Sequence, residues 1–278
     1  MDQALVQGQK KSSFSNLVLR VPGILYILLM VVIPILVILQ DGFREGLSGL
    51  WHQITLPLAR HAIGLTLWTS ALMTVINAVM GLITAYVFVR YEFPGKHILN
   101  AIIDLPLAIP TLVTGVMLVM LYGPQETLGN FLLEKLGLQV IFAPPGIVIA
   151  LLFISFPFVV RAIQPVLLEL DRTQEKAAET LGASSWMTFR KVVLPALILP
   201  TISGSLLSFS RAIGEFGAVV IVAGNIPLKS QTAAVYVLGA VESENRLGAS
   251  AISILLISIA LIVLAIANAL QKAWVARR

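Results

Sequence analysis

The sequence predicts an all-α membrane protein with six transmembrane helices, and three observations carry that prediction. Of its 278 residues 58% are apolar and only 12% charged, against about 45–50% and about 25% in soluble chains, which could not bury so much apolar surface. Mean hydropathy is +0.92. Six stretches with few or no charges each come close to or exceed the roughly 20 residues that cross a bilayer core about 30 Å thick. The lack of cysteine removes disulfide frameworks, thiolate metal sites and cysteine nucleophiles. His52, His61 and His97 are too few and too scattered for a metal centre. No catalytic and no metal-binding residue is expected.

The first stretch, Val21 to Leu39, follows Lys10, Lys11 and Arg20 and lacks a small-residue cleavage site, so it reads as a retained span rather than a removed signal peptide. The second, Ala62 to Val89, is bounded by Arg60 and His61 before and Arg90 after. The third, Ile98 to Gly123, carries Asp104, Pro106 and Pro110. The fourth runs from about Pro145 to Leu168, with Arg161 expected to snorkel towards the nearer interface. The fifth, Ala196 to Gly224, holds Arg211 and Glu215 in its middle, and the sixth, Leu247 to Leu270, is free of charge.

An even number of spans puts both termini on one side. That side has thirteen basic residues: Lys10, Lys11, Arg20, Arg90, Lys96, Arg161, Arg172, Lys176, Arg190, Lys191, Lys272, Arg277 and Arg278. The opposite loops have five: Arg44, Arg60, Lys135, Lys229 and Arg246. Positive residues stay inside, so both termini are expected in the cytoplasm. Topology thereby accounts for the net charge of +5. No basic run is interleaved with aromatics on a soluble face, so the lipid bilayer is an expected partner and nucleic acid is not. No loop reaches the size of a separate domain. The expected division is a cytoplasmic tail of residues 1–20 and one membrane domain of residues 21–278.

A cytoplasmic segment of residues 169–195 separates spans four and five. Gln174 to Leu181 is rich in helix formers, and Gly182 stands where a helix would close in the left-handed conformation. Ser184 or Ser185 can cap a second short helix, in which Trp186, Phe189 and Val193 form one apolar face and which Pro195 is expected to stop. An amphipathic connector lying on the headgroups would also have this pattern. Against it, the first helix offers the small side chains of Ala177 and Ala178, which suit insertion into a protein cleft.

Ala177-Ala178, Gly182 four residues on, and Leu194-Pro195 resemble the "EAA" loop of bacterial ABC importer permeases, with Lys176 in place of the motif's leading glutamate and Glu175 just before it. The resemblance narrows through Tyr91-Glu-Phe-Pro-Gly-Lys96, Asp104-Leu-Pro-Leu-Ala-Ile-Pro110, Phe156-Pro-Phe-Val-Val-Arg161, Arg211-Ala-Ile-Gly-Glu-Phe-Gly-Ala218 and Ala223-Gly-Asn-Ile226. These look like the sulfate/thiosulfate permease branch, most like its T-type subunit. The resemblance implies a type I ABC importer permease fold in the bacterial inner membrane. It also implies a W-type sulfate permease subunit, two ATPase subunits that bind ATP and Mg, and a periplasmic sulfate/thiosulfate-binding protein. It assigns Glu175, Lys176, Ala177, Ala178 and Gly182 to ATPase coupling. Molybdate and tungstate permeases are the nearest alternative.

The residues support this division of labour. No Gly-x-x-x-x-Gly-Lys-Ser/Thr loop occurs, so an ATPase would be another chain and no cofactor is expected on this one. An intramembrane serine protease would need a histidine within the bilayer, and all three lie in loops or at span edges. A secondary transporter would show inverted repeats or paired broken helices and would have no need of the cytoplasmic helix–turn–helix. Asp104, Arg211 and Glu215 each cost roughly 2.5–3.5 kcal/mol at a span centre unless partnered or hydrated. Two readings stand: a structural ion pair of Arg211 and Glu215 on one helical face with Asp104 as third member, or a translocation pathway or gate in which a guanidinium meets a dianion. Gly204, Ser208, Gly214 and Gly217 are expected at close helix contacts, and Asn77 in an interhelical hydrogen bond.

Overall fold

The computed structural model describes residues 20–275. The expected tail of residues 1–20 therefore lies, apart from Arg20, outside the described residues, as do Arg277 and Arg278. The described residues are helical nearly throughout: α1 Arg20–Gly42, α2 Gly46–Thr55, α3 Pro57–Arg90, α4 Lys96–Ala108, α5 Thr111–Tyr122, α6 Thr127–Leu136, α7 Pro144–Glu169, α8 Arg172–Thr180, α9 Ser185–Ile213, α10 Gly217–Ala223, α11 Ala233–Glu242 and α12 Arg246–Val275. Five of these (α1, α3, α7, α9 and α12) are long and apolar enough to cross a membrane, and α4 with α5, bent by 111°, makes a sixth if counted as one span. The expected second, fourth and sixth spans fall within α3, α7 and α12.

Proline decides the departures. At Ile109–Pro110 the ring pushes Ile109 into the extended region, φ −80° and ψ 130°, and the third span breaks. Pro195 does the opposite of what was expected: the helix runs through it. The turn before it is a π-turn, Phe189–Val193, in which the Leu194 N–H donates to the Phe189 carbonyl five residues back. Widening the turn makes room for a ring that would otherwise strike the carbonyl four residues earlier. The same device precedes Pro34, where Leu28–Val32 form a π-turn. The fifth span consequently begins at Ser185, not Ala196; its other end, at Ile213 and not Gly224, is set by Gly214 and involves no proline.

α7 is the most buried span, while α1 has none of its apolar window buried and meets the bundle mainly along α12. α3 runs parallel to α7: Leu65 and Met73 share a core with Ile147 and Leu151 towards one end, and Ala85 and Val89 with Ile163 and Leu167 towards the other. α9 runs antiparallel to both, with Val193 and Leu197 in the second cluster and Ala212 in the first. Gly204 permits the close approach of α9 to α7, since a Cβ there would lie 3.1 Å from the Val159 Cα. Ser208 donates to the Ser155 carbonyl (3.3 Å), and Asn77 donates across the bundle to the Leu152 carbonyl (3.3 Å). Gly214 is not a packing glycine: nothing stands within 4 Å of its missing side chain, and it closes the helix instead.

Candidate functional site

The segment between the fourth and fifth spans is a helix, a glycine turn and a helix. Asp171 caps α8 by accepting from the Thr173 N–H (2.8 Å), and this bond holds its carboxyl below the usual carboxylate range. At the other end Ala183 N–H donates to the Ala178 carbonyl and Gly182 N–H to that of Glu179, the paired closure that needs a left-handed residue. Gly182 supplies it, with φ +85°. Ser184 then accepts from the Met187 N–H (3.3 Å) and opens α9.

The apolar face of the second helix is occupied by protein. Val193 is buried in the cluster with Ala85, Val89 and Leu167, and Phe189 meets Tyr86 of α3 edge-on at 4.9 Å. Trp186 stacks on Phe189 at 5.7 Å and stays exposed. The five residues assigned to coupling do not share one face. Lys176 and Ala177 are exposed, Ala178 is half-buried, Gly182 forms the turn, and Glu175 points inward to Arg90, its Oε1 2.5 Å from Nη2. Ala178 and Gly182 line a cleft of about 290 Å³ with Leu181, Met187 and Lys191. Leu181 is 89% exposed, and sequence reasoning missed it. Its signal was a leucine at the end of a polar helix, off the stripe of Trp186, Phe189 and Val193.

The intramembrane charges form two separate pairs, which corrects the expected triad. Asp104 is bound by Arg161, which donates Nε to Oδ1 (2.7 Å) and Nη2 to Oδ2 (2.6 Å). Nη2 also donates to the Asn100 carbonyl (2.7 Å), and Nη1 to Asn100 Oδ1 (3.0 Å) and to Gln164 Oε1. All five guanidinium N–H groups are thus used, and Arg161 turns to α4 instead of snorkelling. The loosened helix at Ile103–Asp104 sets the carboxylate beside α7.

Arg211 Nη1 pairs with Glu215 Oε2 at 2.6 Å, but not along one helical face, because α9 ends at Ile213. Glu215 lies in the break, and its Oε1 accepts from the Ala218 N–H (3.1 Å) in the first turn of α10. Its side chain is 2% exposed and that of Arg211 37%. Among the described residues Nε and Nη2 of Arg211 have no partner. The break before α10 adjoins the break before α5: a Cβ on Gly217 would collide with Thr111 Oγ1, and one on Gly115 would lie 3.1 Å from the Ala218 Cα. Two interrupted spans therefore meet beside the Arg211–Glu215 pair.

The family described as binding-protein-dependent transport system inner membrane component matches residues 77–277. The chain belongs to that family. All eight residues singled out above lie within the matched part of this inner-membrane component, which leaves out α1, α2 and the start of α3. It is 43% identical over 247 residues to a probable sulfate transport system permease protein cysT of Chlorokybus atmophyticus, covering 89% of this chain and 86% of the relative. It is also 43% identical over 249 residues to the sulfate transport system permease protein CysT of Synechocystis sp. (strain ATCC 27184 / PCC 6803 / Kazusa), covering 90% and 87%. Among solved structures it resembles a chain of a bacterial alginate ABC transporter in complex with an alginate pentasaccharide-bound periplasmic protein, with TM-score 0.79, 15% identity and 96% of each chain covered. A chain of an amino acid ABC transporter with histidines gives TM-score 0.52 at 20% identity, covering 80% of this chain and 94% of that one. At such identities these likenesses concern the fold, which is that of a type I ABC importer permease.

Proposed function

We propose that the chain is a membrane-spanning subunit of an ATP-driven importer for sulfate and thiosulfate, in which a separate ATPase chain drives alternating access. The observation that carries the substrate reading is the 43% identity to sulfate permeases over about nine tenths of the chain. The geometry suits a tetrahedral dianion. Arg211 has donors to spare at a break between helices, and Glu215 beside it offsets part of its charge, so a passing dianion is attracted without being held tightly.

In this reading a loaded periplasmic sulfate/thiosulfate-binding protein docks on the loops opposite α8. Two ATPase subunits, which hold ATP and Mg, close beneath α8 and the cleft at Leu181. Their motion, passed through residues 169–195, rocks this chain and a W-type sulfate permease subunit between inward and outward access. Both termini then lie in the cytoplasm of a bacterial cell with the chain in its inner membrane. Glu175, Lys176, Ala177, Ala178 and Gly182 form or position the coupling element, and Arg211 with Glu215 lines the path. Asp104, locked to Arg161, shapes that path and does not touch the substrate.

The test is uptake of labelled sulfate into vesicles holding this chain, its permease partner, the ATPase and the binding protein. Uptake should require ATP and the ATPase, and unlabelled thiosulfate should compete better than molybdate. Uptake of molybdate in preference to sulfate would overturn the substrate assignment.

A further inference from the structure

The end of α3 is fastened to the coupling segment by side chains that the coupling motif does not explain. Arg90, the last residue of α3, reaches Glu175 with Nη2 (2.5 Å) and donates to the Leu170 carbonyl (3.4 Å). In the other direction Arg172, the first residue of α8, donates to the Val89 carbonyl (3.2 Å) at the end of α3. The ion pair is secluded, with the Arg90 side chain 7% exposed and that of Glu175 14%. A charge there that lost its partner would be left without compensation.

The helices joined to α8 through the chain are poorly suited to carry displacement along their axes. α7 contains Pro157 and Pro165, and α9 contains Pro195, Pro200 and the π-turn at Phe189–Val193. Such positions are where helices bend. α3 has no proline after Pro57 in its 34 residues, a rod of about 51 Å at 1.5 Å per residue. Its far part is tied to α11, because Thr66 Oγ1 accepts from the Ala233 N–H (2.8 Å) and Ala59 packs with Ala233 and Ile252.

We infer that the Arg90–Glu175 pair is a positioning contact that makes α3 the rod along which displacement of α8 reaches α11 at the opposite end of the bundle. This rests on the coupling reading above. It gives Glu175 an intramolecular partner, so the surface left to the ATPase is that of Lys176 and Ala177 on α8 and Leu181 in the turn after it.

The experiment uses the assembled complex in vesicles, with Arg90→Glu, Glu175→Arg and the swap that combines them. ATPase copurification, ATP hydrolysis and sulfate uptake are read separately. Each single variant should keep the ATPase bound and hydrolysing while uptake falls at least about tenfold, and the swap should recover uptake to about a third of the parent rate or more, as expected for directly coupled residues. A second arm needs no charge in place: Arg90→Cys with Glu175→Cys, in a chain without native cysteine, joined by a short bis-maleimide. Joining the two should raise uptake above that of the unjoined variant. Single variants that transport at the parent rate, or a cross-link that leaves uptake unchanged or lower, would overturn the inference. A parent complex that never holds the ATPase would overturn the coupling reading itself and this inference with it.

Discussion

A guanidinium whose five N–H groups are all taken cannot also hold a passing anion, and this separates the two arginines inside the bundle. Arg161 is spent on Asp104, Asn100 and Gln164, whereas Arg211 has one partner and is partly open. Arg211→Ala combined with Glu215→Gln, which leaves no buried carboxylate without its partner, should therefore abolish most sulfate uptake with little loss of stability. Arg161→Ala should lower the thermal midpoint of the purified chain, by the equivalent of about 3 kcal/mol or less because the Asp104 it abandons is half-exposed. Uptake assays and thermal unfolding of the two variants check the contrast, and equal effects on both readouts would erase the distinction. Asp171 offers a test by pH. Its carboxyl is held low by the Thr173 N–H, so the cap stabilises α8 above the ordinary carboxylate range and is lost as pH falls below it. Asp171→Asn cannot titrate, and its Thr173 amide should stay protected from hydrogen exchange at acid pH where the parent's is not.

At the scale of elements, α8 and its glycine turn were legible in the sequence because their signals are local: a capping residue, a run of helix formers, a glycine at the closing position. Gly182→Val should cost about 1–2 kcal/mol of turn stability and yield a chain that inserts yet no longer couples hydrolysis to uptake; hydrolysis per sulfate imported is the quantity to measure. Which prolines break a helix was not legible. Pro110 ends a helix, Pro157 and Pro200 sit inside helices, and Pro195 is passed by widening a turn. The residue is the same in each case, and neighbours in space decide which outcome prevails. The pairing of Asp104 with Arg161 was hidden for the same reason, since 57 positions separate them and Arg211 looked equally available. α2, α6 and α11 lie in stretches read as loops, being too short for their patterns to stand out.

For the whole molecule, composition and run length were enough for the class of fold, because lipid tolerates few alternatives to uninterrupted apolar helices. The arrangement around α7 required packing that no single helix reveals. The proposed orientation puts Lys96 and Arg190 in the cytoplasm and Lys229 outside, and reporter fusions at these three sites should read accordingly. The central claim is that a separate ATPase grips this chain at the turn after α8. The most direct measurement is cross-linking from Leu181→Cys, the most exposed apolar position of that turn, in a complex that imports sulfate. A thiol-reactive linker should join it to the ATPase and stop uptake, while Asn130→Cys, on α6 in the opposite loops, should give neither result. Uptake that persists with ATP when no ATPase chain is present, or an active complex in which Leu181→Cys never reaches the ATPase, would contradict the account.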